Sequence, residues 1–179
     1  MKLDPKYFNL FITVCAVFTV VVILYGTIRY HRNQEKTFRE NIEAADLNET
    51  VLSLAAETGS VRLSAFKGNV VIVNFWATWS EKSKDVHHFL HELEQRDQEL
   101  VVIAAAVRDD DDMVREYIRN ERNNFIYVDG TSFYHDLQVP GVPSQILIDR
   151  TGRFADLQIG EDQGSLTKKI EALLNHEQL

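Results

Sequence analysis

The hydrophobic pattern changes character twice along the chain. From Tyr7 to Ile28 there is no charge across 22 residues, "YFNLFITVCAVFTVVVILYGTI". The stretch is apolar on every helical face, which separates it from the helices of a soluble surface. As a helix it extends about 33 Å, enough to cross a bilayer core. Tyr7, Tyr25 and Tyr30 lie near its ends, where amphipathic rings favour the membrane interface. A cleavable signal would carry a shorter apolar region and a small-residue cleavage site. "YGTIRYHRN" offers no such site, so the segment reads as an uncleaved anchor.

After "HRNQEKTFRENIEAADLNE", a polar, helix-permissive spacer, the pattern shortens. "TVLSLAAETGSVRLSAF" has two alternating runs around Glu57–Ser60 and predicts a β-hairpin. "KGNVVIVNFWA" and "ELVVIAAAVRD" are continuous apolar runs, the signature of strands buried on both faces. Between them, Val86, Phe89, Leu90 and Leu93 recur at helical spacing. "DDDMVREYIRNERN" is a helix opened by acids, which suit a helix N-terminus. "FIYVDG" predicts a short strand, "TSFYHDLQV" a brief helix, and "SQILIDRTGRFADLQIG" two strands around the turn Asp149–Gly152. "SLTKKIEALLNH" closes the chain as an amphipathic helix. The order is hairpin, β-α-β-α-β, short helix, β-β, α. It predicts an α/β class with a mixed central sheet flanked by helices. The expected organisation is a flank over residues 1–6, an anchor over 7–28, a spacer over 29–45 and one domain over 46–179.

Charge refines this picture. The net charge is −8, but residues 1–39 carry six basic and two acidic residues, while residues 40–179 carry 13 basic and 25 acidic ones. The body, at −12, repels phosphate backbones, so nucleic acid is set aside as a partner. Both flanks of the apolar stretch are basic: Lys2 and Lys6 precede it, and Arg29, Arg32, Lys36 and Arg39 follow. Read literally, the second group pulls the domain to the cytoplasmic side. The one cysteine, Cys15, lies inside the apolar stretch. It reads as a small apolar residue, with palmitoylation or an intermolecular disulfide as the alternatives. The body has no cysteine, so it forms no disulfide of its own.

Two motifs carry a resemblance. "FKGNVVIVNFWATWSEKS" and "PGVPSQILIDRTGR" follow one another in the order and spacing of the membrane-anchored thioredoxin-like reductases of the TlpA/ResA type, within the redoxin (AhpC/TSA-related) group. The resemblance covers about residues 45–175. It implies a thioredoxin-like fold after the hairpin and a domain on the outer face of a bacterial cytoplasmic membrane. It also implies a setting of envelope thiol redox chemistry or cytochrome c maturation, and a cis bond before Pro143, which would face the reactive loop. The departures matter equally. Ser80 and Ser83 stand where the family has its reactive cysteines. A serine hydroxyl neither forms nor cleaves a disulfide. A Glu often found in the helix falls on Val86, and a proline on His88. An engineered Cys→Ser pair would account for the serines but not for those two positions.

The candidate site is therefore a binding face rather than a reactive centre: Trp76, Trp79, Ser80, Glu81, Lys82, Ser83, Val142 and Pro143, with Phe75 in the same groove. The occupant is a protein or peptide, and no cofactor is implied. Ser80 reads as a helix cap; a nucleophilic serine would need a base in reach and an oxyanion site, and no such motif is visible. Trp76 reads either as core or as part of the loop, Trp79 as an aromatic anchor on the surface. His87 and His91, at i, i+4 with Glu94 nearby, are weak metal candidates against the plainer reading of a solvated helix face. Asp109–Asp112 lacks the spacing of a Ca²⁺ loop and reads as a solvated helix start. The expected function is a membrane-tethered, redox-inactive binding module. The alternative is a thiol-disulfide oxidoreductase or peroxide-reducing redoxin working with a partner's thiols.

Overall fold

The computed structural model describes residues 5–175, with side chains from Phe8 onward. Lys2 and Asp4 of the flank and His176 of the last helix lie outside the described residues, as do the side chains of Lys6 and Tyr7. The chain divides into two units, residues 1–37 and 38–179.

The described residues of the first unit lie within α1 (Pro5–Ala44), a helix long and apolar enough to cross a membrane. Its threonines do not break the apolar surface. Thr13, Thr19 and Thr27 each donate a hydroxyl to the carbonyl four residues back, at 3.0, 2.9 and 2.9 Å. A donor satisfied within its own helix can sit in hydrocarbon.

The second unit is an α/β domain. A two-stranded antiparallel ribbon comes first, β1 (Val51–Ser53) against β2 (Ser60–Arg62), with Leu52 opposite Val61. The turn is longer than the pattern suggests, because the first strand already ends at Ser53, although Ser60 belongs to the second. A 3-10 turn, Leu63–Phe66, leads into β3 (Val70–Trp76). There follow α2 (Glu81–Arg96), β4 (Leu100–Ala106), α3 (Asp111–Asn120), β5 (Ile126–Asp129), α4 (Thr131–Asp136), β6 (Ser144–Ile148), β7 (Phe154–Ile159) and α5 (Gln163–Asn175). The main sheet has the order β5-β4-β3-β6-β7. β3, β4 and β5 run parallel, and β6 and β7 are antiparallel to their neighbours. The mixed sheet is as expected: parallel strands need helical crossovers, whereas the tight turn at Asp149–Gly152 forces reversal. Gly152 sits there at φ +84°, where a side chain is strained and its Cβ would meet Lys67 and Asn48.

β3 is buried along its whole length, with a cluster on each face. One face takes Val71, Val73 and Phe75 against Leu52, Phe133 and Leu157. The other takes Val70, Ile72 and Trp76 against Val86 and Leu90 of α2 and Leu166 and Ile170 of α5. The spacer differs from expectation. Its later part is the end of α1, and Phe38 and Ile42, four residues apart on one face, are buried in the first cluster. Arg39, between them, pairs with Asp156 of β7 at 2.7 Å and lies over the Phe154 ring. Packing thus begins at Phe38 rather than at residue 46.

Candidate functional site

The site forms where β3 ends. Val107 N–H donates to Trp76 O at 2.9 Å, keeping β3 and β4 in register to their last residues. The chain then turns through Ala77, Thr78 and Trp79 into α2. Asp109 holds this turn: its carboxylate accepts Thr78 N–H at 2.5 Å and Thr78 Oγ1–H at 2.8 Å. Of the acidic run, Asp110 caps α3 by accepting the N–H groups of Asp112 and Met113. Asp109 is therefore a clamp across the loop rather than part of a solvated helix start. Its separation of 31 residues from Thr78 explains why spacing alone does not find it.

Ser80 has extended backbone angles and is the N-cap of α2. Its Oγ accepts Ser83 N–H at 3.2 Å. This is the capping geometry expected of serine. Ser83, one turn in, is fully buried, and its Oγ has no hydrogen-bond partner among the described residues. Neither hydroxyl is placed as a nucleophile. Glu81 and Lys82 lie on the exposed side, paired with Lys84 at 2.6 Å and Glu161 at 2.8 Å.

The two tryptophans separate cleanly. Trp79 is 66% exposed, while Trp76 is 0% exposed. Trp76 cannot meet a partner from there, which corrects its place among the binding residues. It supports the loop from below instead. Phe75 and Pro143 are also buried, so the groove is not lined by their side chains. Phe75 lies under Tyr134, with ring centroids 5.9 Å apart, and Pro143 O accepts Gly160 N–H at 2.9 Å. The Val142–Pro143 bond is cis. Among the candidate residues, the accessible apolar ones are therefore Trp79 and the half-buried Val142.

His87 differs most from expectation. It is 2% exposed, packed at a tilt on Trp76 with 4.5 Å between centroids, with Nδ1 3.0 Å from the Tyr117 hydroxyl. Burial, with a smaller effect of His88, lowers its pKa to about 3, so the ring is neutral. Burial also pushes the Tyr117 phenol up, with Glu121 adding to it. His91 instead lies 3.8 Å from Glu94, whose carboxylate accepts Asn124 N–H. One member of the i, i+4 pair is committed inside the core and the other outside it, so the two do not form a ligand pair. Val86, at the position the resemblance assigns to an acid, is buried against the same aromatic cluster. No carboxylate stands beneath the loop at that position.

Comparisons with known proteins agree with this architecture. The redoxin family model matches residues 36–174. A thiol-disulfide oxidoreductase ResA from Oceanobacillus iheyensis is 24% identical over 161 residues, covering 87% of this chain and 82% of that protein. A thiol:disulfide interchange protein DsbE from Vibrio cholerae serotype O1 is 30% identical over 101 residues, and the chain spans about half of it, 54%. Among solved structures, a thioredoxin-like protein from Aeropyrum pernix superposes with a TM-score of 0.62 at 19% identity, over 82% of this chain and 99% of that one. A thiol:disulfide interchange protein of the thioredoxin family from Chlorobium tepidum gives 0.60 at 15% identity, over 70% and 93%. The fold is thioredoxin-like, and the chain belongs to the redoxin family.

Proposed function

We propose that this protein is a membrane-tethered thioredoxin-like module that binds a protein or peptide segment and performs no dithiol exchange. One observation carries the reading. An exposed tryptophan, Trp79, immediately precedes two serines whose hydroxyls are a helix cap and a buried side chain. The exchange reaction needs a thiolate on one of those two residues, and the body supplies none. What remains accessible is an aromatic anchor at the same end of the sheet as Val142, on a turn tied down by Asp109. Rigid, partly exposed aromatic anchors are the usual centre of a protein-binding surface. The relatives named as oxidoreductases support the frame and the setting of thiol chemistry.

The apolar part of α1 anchors the chain, and the acidic domain stands outside a bacterial cytoplasmic membrane. A reporter fused to the C-terminus, active on one side only, tests the orientation; activity in the cytoplasm would reverse it. The binding function is tested by a photoreactive residue at position 79 in membranes carrying the full chain. The expected result is one discrete protein adduct, unchanged by prior thiol blocking and absent from a control probe at Glu57. Loss of the adduct on thiol blocking would return the oxidoreductase reading.

A further inference from the structure

Arg108 is a sequence neighbour of Asp109, which clamps the loop. Arg108 follows β4 and has φ +50°, a region that long side chains adopt rarely. Its flanks fix it there. Val107 is bonded to Trp76 and Asp109 to Thr78, and Arg108 N–H meets Thr131 Oγ1 at 3.4 Å. The backbone so held sets the guanidinium over the Tyr134 ring, 5.6 Å from its centroid, and against the His135 ring nitrogens at 3.4–3.5 Å. Asp109, the next residue, is bonded to Thr78, and Val142 lies two residues before Ser144, which pairs with Phe75, so Arg108 and Val142 both flank the end of β3 where the Thr78–Trp79 turn begins.

Arg39, Arg62, Arg96, Arg115 and Arg150 each hold a carboxylate. Arg108 is exposed, with none within 4.0 Å among the described residues, and its Nη1 makes no hydrogen bond there. Three of the four acids that follow it in sequence are engaged elsewhere: Asp109 with Thr78, Asp110 as a helix cap and Asp112 with Arg115. A guanidinium stacked on an aromatic face, with one edge open, is prepared for planar two-point recognition of a carboxylate.

We infer that Arg108 reads a single carboxylate, an Asp or Glu side chain, on the segment held at the Trp79–Val142 face. The inference rests on the binding function proposed above. The body charge of −12 repels an acidic run, so the residues flanking that carboxylate are neutral or basic.

A random linear peptide library screened on the detergent-solubilised full chain tests this. The native chain should enrich peptides with one acidic residue at a fixed position. Arg108→Gln and Arg108→Gly, the latter relieving the backbone strain, should still enrich peptides but without that preference. For a selected peptide, replacing its Asp or Glu by the amide should weaken Kd about tenfold on the native chain and leave Kd unchanged on Arg108→Gly. Enrichment without an acidic position, or the same preference in the variants, would overturn the inference and leave the binding function standing. No enrichment that Trp79→Ala abolishes would overturn both.

Discussion

Ser80 carries the local chemistry of the site. Its Oγ lies where the first turn of α2 presents unpaired N–H groups, and the hydrogen bond to Ser83 N–H uses one of them. The same position favours an anion. We expect a Ser80→Cys variant to hold its thiol below the usual value of about 8.5, because the helix N-terminus stabilises a thiolate. Thiolate absorbance against pH measures this, and an ordinary or raised value would mean the frame no longer activates that position. His87 makes a separate prediction. Folded, it stays neutral down to about pH 3; unfolded, it takes a proton near 6.5. Between those values the unfolded chain binds more protons, so stability rises with pH and is lost as pH falls through the window. Going from pH 8 to pH 5 should remove roughly 2 kcal/mol through this group. Urea unfolding across that range should show a slope that His87→Phe flattens, and an unchanged slope in the variant would place the histidine elsewhere.

At the scale of elements, the site depends on how closely the parallel strands approach at their C-terminal ends. Gly130 N–H donates to Ala106 O at 2.8 Å, and a Cβ on Gly130 would lie 2.6 Å from Ala105 Cβ and 3.1 Å from its backbone carbon. Gly130→Ala should therefore strain the junction of β4, β5 and α4, at a cost of about 1–3 kcal/mol as overpacking. Thermal unfolding measures it; a neutral substitution would show that the strand ends give way easily. The elements themselves were legible, because β-branched runs, helical spacing and turn residues agree along residues 50–175. The end of α1 was harder, since Phe38 and Ile42 are two apolar residues in a polar stretch. Their i, i+4 spacing was the available signal. The burial of His87 is hidden in the sequence for a related reason. The inward face of α2 runs through Ser83, Val86, His87 and Leu90, and two of those types, Ser and His, are common at surfaces. Only the position of Trp76 beneath the helix decides the matter, and that contact crosses from strand to helix. Asp109 and Tyr117 act through partners some 30 residues away, beyond any local pattern.

The whole molecule joins an apolar N-terminal helix to an acidic redoxin-family domain from which the reactive thiols are absent. Val86 is a core residue, and the space under the loop is filled by Trp76, His87 and Tyr117. The domain carries no cysteine of its own. The central claim is thus that the domain binds without exchanging disulfides. Insulin reduction driven by dithiothreitol, with the full native chain in detergent, tests it most directly. The account predicts a rate equal to that of dithiothreitol alone. A rate that rises with added protein would contradict it and make the chain a thiol-disulfide oxidoreductase.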